Sequence, residues 1–591
     1  MAPPAEPDGA FLGVETSWRG RRWSARLDAR GRNLALALTQ REGLDEVVGR
    51  VLAARGATLE AGTALLAPKL RDLMPDPSTI TDCEAAADRL AHAVTRRERI
   101  AVFGDYDVDG AASSALVATA LRELGCEVEI YIPDRITEGY GPNVPAIEAL
   151  IERGAGLIVT VDCGTMSHEA IDVAGGRGID VVVIDHHQTG AELPAARALV
   201  NPNRQDDLSG LGALCATGVA FMVLVELRRR LAGRAFPDLM RRLDLVALAT
   251  VCDMVPLVPL NRAFATTGLT VMNRRENVGL DALARVSRLS GPVRAGDLGF
   301  LLGPRINAGG RVGEAALGAR LLCEGDARRA DEMAARLEGY NRERQQVEAN
   351  VLRAAMEEAE AEHAGSVVPS VIVTARDGWH PGVVGLVASR LRERFDRPAF
   401  AIGFDGSGRG SGSGRSVPAL DLGRLVRDAA TEGLLMKGGG HAMAAGLTIR
   451  REALGEFRAF AEERAAAVDT SGVPSVEIDA ALTARGASRG LLERIEGAGP
   501  FGVGNPAPCF AFPNHSASRA RIVGRGHVSF EIVAQDGGRL RAIAFRAADT
   551  ELGERLLRSD GRAHHFVGTL ERDDYRGRNG VSVRVDDGAD A

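Results

Sequence analysis

Basic character is what this sequence lacks most. Among its 591 residues, 72 Lys and Arg are outnumbered by 79 Asp and Glu, a formal net charge of −7. The bulk cationic balance that usually marks a nucleic-acid binder is therefore absent. That count is an incomplete guide, because the carboxylates of a metal site register as negative charge when their ions are left out. Lysine is almost missing: Lys69 and Lys437 are the only two. A general bias toward Arg accounts for this, so only particular Arg residues carry information, through the planar fork that suits phosphate. Aromatic residues make up 4% of the chain, which leaves few rings for base stacking. No apolar run reaches membrane-spanning length. The seven cysteines, Cys83, Cys126, Cys163, Cys215, Cys252, Cys323 and Cys509, are scattered and odd in number. They exclude a disulfide framework and indicate a reducing compartment. No two stand at the spacing of a zinc-ligand pair. Residues 1–9 have neither the charged nor the apolar region of a signal peptide, so a cytoplasmic location is expected.

What is present is a set of carboxylates placed after apolar runs. The run Asp180-Val181-Val182-Val183-Ile184 ends in Asp185-His186-His187. Arg99-Ile100-Ala101-Val102-Phe103 leads into Gly104-Asp105-Tyr106-Asp107-Val108-Asp109-Gly110, and Leu157-Ile158-Val159-Thr160-Val161 into Asp162-Cys163-Gly164. A helical pattern over 243–251 leads into Cys252-Asp253. Short β-branched runs separated by helical patterns read as βαβ units. In open parallel sheets ligands bind at the carboxyl ends of the strands. A lone Asp after a strand is ordinarily an N-cap or turn residue, but here at least six acidic or imidazole groups converge. Such a cluster repels itself unless cations sit in it. Oxygen ligands with one or two imidazoles suit Mn²⁺ or Mg²⁺ better than structural Zn²⁺.

The length implies three or four domains. Residues 1–35, rich in Pro, Gly and Arg with Trp18 and Trp23, read as an extended arm. Residues 36–97 are helical in pattern. Strands are predicted near 99–104, 128–132, 157–161 and 180–185, helices over most of 212–300, and an irregular segment over 298–311. The stretch 326–363 contains no Pro and reads as one long amphipathic helix joining two lobes. Beyond it come a strand near 371–373, a helix opening after Trp379-His380, a strand over 398–403 and a Gly/Ser-rich hairpin turn over 406–414. Lys437-Gly438-Gly439-Gly440-His441 reads either as a plain turn or as an anion-binding glycine run before a helix. Short strands over 527–534, 540–545, 563–570 and 580–585 read as a small β-barrel.

These motifs, in this order, resemble those of the DHH phosphoesterase superfamily and, within it, the RecJ-type single-strand-DNA-specific exonucleases. The resemblance rests on residues 104–110, Pro133-Asp134-Arg135 with Glu138-Gly139-Tyr140-Gly141, 162–164, 185–187, 253–257, 304–311, 379–385, 412–416, 439–446 and 500–506. Pro381 and Gly309 depart from the Glu and Ala found in many members. The resemblance implies an α/β fold: a parallel-sheet DHH catalytic lobe over 36–325, a connecting helix over 326–365, a smaller α/β DHH-associated lobe over 366–470, and an OB-type β-barrel over 471–591. It implies 5′-to-3′ degradation of single-stranded DNA to mononucleotides with two divalent cations, Mn²⁺ or Mg²⁺, in repair and recombination. Carried over by motif, Asp105, Asp107 and Asp162 hold one ion. Asp109, Asp162, His186 and Asp253 hold the other, and His187 stands beside them or meets a phosphate. Arg135, Arg305, Asn307 and Arg311 are implied to bind substrate from the catalytic lobe, and Arg415, Ser416, Gly439, Gly440 and His441 from the other. Implied partners are single-stranded DNA, single-strand-binding protein and a helicase, with no membrane and a monomeric state. Two alternatives share the metal motifs. One is a small-substrate enzyme, whether oligoribonuclease, cyclic-dinucleotide phosphodiesterase or pyrophosphatase, which needs no barrel. The other is a non-catalytic replication-fork scaffold, which needs no intact ligands.

Overall fold

The computed structural model describes residues 9–60, 62–135, 137–289, 291–363, 368–468, 474–524, 526–558, 561–573 and 580–591. The chain forms two compact units, one of residues 1–74, 254–267 and 472–591, the other of 75–253 and 268–471. The first unit opens on strand β1 (Arg22–Ala25) and the helices Ala29–Glu42 and Glu46–Ala54. Asp28 caps the first helix by accepting from Gly31 N, and Gly43 ends it in the left-handed conformation. The extended arm expected over 1–35 is not what residues 9–35 form. Trp23 is fully buried and Trp18 is 5% exposed, because two indoles carry too much apolar surface to be left in water. Residues up to 74 consequently group with the C-terminal barrel and not with the catalytic sheet that follows.

In the second unit, β2 (Arg99–Gly104), β3 (Glu127–Tyr131), β4 (Leu157–Val161), β5 (Asp180–Ile184) and β6 (Ala198–Val200) form an all-parallel sheet of order β3-β2-β4-β5-β6. The helices Val108–Glu123, Val144–Glu152 and His168–Gly176 supply the crossovers. The near-continuous apolar strands are those of a sheet covered on both faces. Since β2, β4 and β5 are neighbours, their carboxyl ends deliver residues 105–109, 162 and 185–187 to one edge. The helix Leu243–Cys252, buried along most of its length, delivers Asp253. The segment expected to be irregular over 298–311 is helical. A π-turn, Leu298–Leu302, runs into the helix Gly303–Val312, and Pro304 stands in its first turn, where its missing N–H costs no bond.

The helix Ala327–His363, 37 residues long, leads to the second lobe. There β7 (Ile372–Asp377), β8 (Ala399–Phe404), β9 (Arg409–Arg415), β10 (Lys437–His441) and β11 (Ala444–Arg450) form a sheet of order β10-β11-β9-β8-β7. His380 caps the helix Pro381–Phe395 by accepting from Gly382 N at 3.0 Å. The Gly/Ser stretch is mostly strand β9, with the turn itself set by Asp405, which accepts from Ser407 N and Arg409 N. The glycine run is strand β10 at the sheet's edge and no helix follows it, so a helix-terminus anion site is ruled out there. Its pairing with β11 takes backbone groups a turn would have left free.

The first unit resumes with β12 (Ser475–Ile478), β13 (Ala480–Ala481), β14 (Phe510–Val523), β15 (His527–Val533), β16 (Arg539–Ala544), β17 (His564–Asp573) and β18 (Gly580–Asp590). Pairings of β14 with both β15 and β17, and of β18 with β16 and β17, close the barrel. Strand β14 escapes the sequence pattern because Pro513 interrupts it, and its register shifts between Phe512 and His515. Strand β1 pairs in parallel with β12, Trp18 N donates to Gly588 O at 2.8 Å, and Ser17 Oγ donates to buried Asp587 at 2.5 Å. Residues 254–267 are stitched to the barrel's leading segment. Leu257 N donates to Val503 O at 2.7 Å, and Arg262 donates to the carbonyls of Ala498 and Gly499 at 2.8 and 3.0 Å.

Candidate metal centre and the cavity beside it

The centre is assembled by local rules. Asp107 caps the helix Val108–Glu123, accepting from Asp109 N and Gly110 N at 2.8 and 3.1 Å. Gly110 is required, since a Cβ there would lie 2.4 Å from Asp105 O. Asp109 is buried and fixed by the start of the helix Ala216–Arg230: it accepts from Ala216 N at 2.6 Å and from Thr217 N and Oγ1 at 2.8 and 2.6 Å. Asp162 follows β4 with φ of 59°, a strained conformation that Asp and Asn tolerate better than most residues. Asp185 accepts from the backbone N–H of Thr165, His186 and His187 and meets His187 Nδ1 at 2.8 Å.

The side chains converge. His186 Nε2 lies 3.3 Å from Asp162, 3.6 Å from Asp253 and 3.8 Å from Asp109. Three overlapping groups have ligand atoms close enough to share an ion: Asp105, Asp107 and Asp162; Asp109, His186 and Asp253; and Asp162, His186 and His187. Burial, followed by the charge of Asp107, pushes the Asp105 carboxyl well above its ordinary range. Burial and then four neighbouring carboxylates do the same to Asp162. Burial raises Asp109, and burial with Asp109 and Asp107 pushes Asp253 up to about 8. Burial works against charge on Asp185 too, yet its bonds to His187 and Thr165 hold it well below the usual carboxylate range. Burial likewise opposes charge on His187, but Asp185 holds it up at about 9.

This donor set fits divalent cations. Asp105 Oδ1 and Asp162 Oδ1 are buried without a hydrogen-bond partner, a costly state for a carboxylate oxygen. Hard oxygen donors with an imidazole are the chemistry of Mn²⁺ and Mg²⁺.

A cavity of about 510 Å³ is lined by Arg135 and Arg311 from the first lobe, which feel the charges of Asp105 and Asp107 of the cluster, and by Ser411, Ser413, Arg415 and Gly446 among others from the second. Arg311 donates to Gly382 O at 2.9 Å. Burial, then the cations Arg135, Arg344 and Arg415, lowers its guanidinium to about 10, with Asp107 opposing. Arg135 lies 4.9 Å from the centre of the Tyr106 ring. Arg415 donates to Ser413 Oγ at 2.9 Å and Gly414 O at 2.8 Å.

Not every expected substrate residue reaches this cavity. Arg305 is engaged by Glu338 at 2.8 Å and by Leu301 O at 2.7 Å. Ser416, one residue beyond the open face of β9, is 1% exposed and donates to Leu420 O; Ser411 and Ser413, in phase with Arg415, line the cavity in its place. Asn307 keeps a buried Oδ1 with no hydrogen-bond partner. Gly440 lines the cavity, and Gly439 and His441 stand on the same strand. Three positions received no role from the sequence. Tyr140 donates to Asp162 O at 3.1 Å and lies 3.2 Å from His187 Nδ1. Thr217 buttresses Asp109, and Asp185 orients His187. Tyr140 stands in a Gly-flanked motif that could have signalled it; Thr217, distant in sequence, gave no signal.

Comparison with known proteins places this arrangement. The family model for the DHH family N-terminal domain matches residues 99–250, that for the DHHA1 domain 368–467, and that for the RecJ OB domain 478–587. Fold and cluster thus define the class, a DHH-family protein with a DHHA1 domain and an OB barrel. The single-stranded-DNA-specific exonuclease RecJ of Dickeya dadantii is 38% identical over 520 residues, covering 85% of this chain and 89% of that protein. That of Escherichia coli is 34% identical over 527 residues, covering 86% and 90%. The crystal structure of RecJ with Mn²⁺ from Thermus thermophilus superposes with a TM-score of 0.79 at 29% identity, covering 95% of this chain and 78% of that one. The corresponding Mg²⁺ structure gives 0.73 at 28% identity, covering 95% and 77%. The chain belongs to the RecJ family of single-stranded-DNA-specific exonucleases.

Proposed function

We propose that this protein is a metal-dependent exonuclease that shortens single-stranded DNA from its 5′ end, releasing mononucleotides, in DNA repair and recombination. The observation that carries the reading is the juxtaposition of a self-repelling carboxylate cluster with a self-repelling arginine cluster beside one cavity. The first is relieved by cations and the second by phosphate. Asp105, Asp107 and Asp162 would hold one divalent cation, Mn²⁺ or Mg²⁺, and Asp109, Asp162, His186 and Asp253 a second. Such a pair supplies Lewis acidity and lowers the pKa of water near the scissile phosphate.

The remaining work falls to side chains. Arg135, Arg311 and Arg415 bind the terminal phosphates, where a guanidinium fork is bidentate and permanently charged. Asp185 fixes the orientation of His187, and the protonated imidazole meets a phosphate oxygen, with Tyr140 steadying both His187 and the Asp162 backbone. The barrel offers cations such as Arg521 to the rest of the strand. A barrel of this kind distinguishes the reading from a small-substrate phosphodiesterase, and the full set of ligand residues distinguishes it from a scaffold. The direct test is shortening of a long single strand, with and without Mn²⁺ and against its duplex. Degradation of dinucleotides alone, or none with metal supplied, would overturn it.

A further inference from the structure

Strand β6 ends at Val200, beside β5 in the sheet, and is followed by none of the ligand residues. It is followed by Asn201, which is fully buried, and then by Asn203. What these two do follows from a shortage next door. Beyond β5 the chain passes through His186 and His187 outside any helix or strand. Secondary structure gives their backbone no partners there, and backbone groups inside a protein need them. Side chains take all four groups. Asp185 Oδ1 accepts from His186 N at 2.8 Å and from His187 N at 3.2 Å. Asn203 Nδ2 donates to His186 O at 2.5 Å, and Asn201 Nδ2 to His187 O at 2.9 Å.

The two asparagines are themselves braced. Asn201 Oδ1 accepts from Asn203 N at 2.8 Å, and Asn201 Nδ2 also donates to Thr165 Oγ1 at 3.0 Å. Thr165 is buried, three residues beyond Asp162, and its N–H donates to Asp185 at 3.1 Å. Asn203 Nδ2 reaches Gly212 O at 3.2 Å. Gly212 has no room for a side chain, since a Cβ there would lie 2.4 Å from Asn203 Oδ1. One bracket thus ties together the segments that follow β4, β5 and β6. Asparagine suits it, because one planar amide supplies two N–H donors and a carbonyl acceptor.

His186 is the residue this bracket aims. A metal-bound imidazole is ordinarily held by a partner on its second ring nitrogen. Among the described residues the His186 ring meets its acidic partners, Asp109, Asp162 and Asp253, through Nε2, so its direction comes from the backbone that carries it. We propose that Asn203 and Asn201 are positioning residues for the second ion: they hold the His186-His187 backbone so that His186 Nε2 is aimed before a cation arrives. This rests on the reading above, in which Asp109, Asp162, His186 and Asp253 hold that cation. The bracket bonds neither Asp105 nor Asp107, so the first ion should be spared.

The test uses the full chain with Asn203→Ala, which deletes the amide, and Gly212→Ala, whose Cβ displaces it. Asn273→Ala is the control. Asn273 brackets backbone in the same way, donating to Leu269 O and Val293 O and accepting from Val293 N, in a segment that carries no ligand. Three quantities are read: the Mn²⁺ isotherm by calorimetry, the nitrogen coupling of bound Mn²⁺ by pulsed electron paramagnetic resonance, and Tm in chelator. In Asn203→Ala and Gly212→Ala one Mn²⁺ Kd should rise about 10- to 100-fold and the nitrogen coupling should weaken, the other Kd holding. Turnover should fall at limiting Mn²⁺ and recover in excess, with KM for the strand unchanged. Asn273→Ala should lower Tm with both Kd values intact. Wild-type isotherms and nitrogen coupling in Asn203→Ala and Gly212→Ala would overturn the proposal. An equal loss of affinity in Asn273→Ala would overturn it too, by making the effect a general softening. Should Asn203→Ala fail to fold, Gly212→Ala decides by the same criterion. A wild type that binds no Mn²⁺ would sink both readings. One that binds two ions yet leaves a single strand intact would defeat the exonuclease reading alone, because the isotherm still judges the bracket.

Discussion

Replacing Asp162 by Asn probes the centre at the point where its demands conflict. Asp162 belongs to two of the three ligand groups, lies 3.3 Å from His186 Nε2, and holds φ at 59°. Asn tolerates that conformation and keeps the size, so the change removes charge and little else. Losing an anionic ligand shared by both ions should lower kcat by about a thousandfold, or about 4 kcal/mol of transition-state stabilisation. The metal-free protein should respond in the opposite sense. Four other buried or half-buried carboxylates surround Asp162 and raise its pKa, so deleting its charge should raise the metal-free Tm. Asp162→Ala should gain less, since a left-handed Ala costs about 1 kcal/mol. The pH dependence has a definite sign. Asp253 is raised to about 8 when folded, against about 4 when unfolded. The folded metal-free protein therefore binds the extra proton, and the stability that Asp253 contributes is fully present below pH about 4 and lost as pH rises toward about 8. Ion binding expels those protons, so Mn²⁺ affinity should climb across the same window. The assays are turnover of a single strand, metal content by mass spectrometry, and thermal melts with chelator across pH. Near-normal turnover with two ions retained would refute the argument.

Arg415→Lys keeps the charge but loses the fork that meets Ser413 and Gly414; KM for a 5′-phosphorylated strand should rise about tenfold at unchanged Mn²⁺ stoichiometry. Arg521 is exposed on the barrel in register with Ser529 and Ile543, so Arg521→Ala should weaken binding to long strands and reduce the magnitude of the salt slope by about one, whereas an unchanged slope would place the strand on another face. Trp23 is fully buried in the first unit, and Trp23→Ala should cost about 3–5 kcal/mol, read from denaturant melts. The last prediction bears on truncation. Deleting the chain from about 500 onward would strip Leu257 of its partner Val503 and expose apolar surface of the first unit's core, so point variants on the barrel are the sounder test.

Legibility from sequence followed the range of the interactions involved. The strands delivering Asp105, Asp162 and Asp185 are continuous apolar runs, and βαβ crossovers make them parallel, so one shared edge is legible directly, whereas the order that sets β2 beside β4 is not. The long helix was visible because nothing interrupts its pattern. The arm was misjudged because local Pro, Gly and Arg content conceals two tryptophans whose burial depends on residues more than 400 positions away. The glycine run departs from its reading for a similar reason: as edge strand β10 it pairs along β11, in a sheet whose register a local rule does not see. Ser416 is buried while Ser413 lines the cavity, a distinction the motif does not carry because it names residues and not the face of the strand they occupy. Arg305 looked available only because its partner Glu338 comes from a different helix.

The central claim is tested most directly by end-labelling. A single strand carrying a 5′ label in one preparation and a 3′ label in another is incubated with the protein, with Mn²⁺ or with chelator. The account predicts that the 5′ label appears at once as a mononucleotide, that the 3′ label persists on a shortening ladder, and that neither changes without metal. Release of the 3′ label first, or undiminished hydrolysis in chelator, would contradict it.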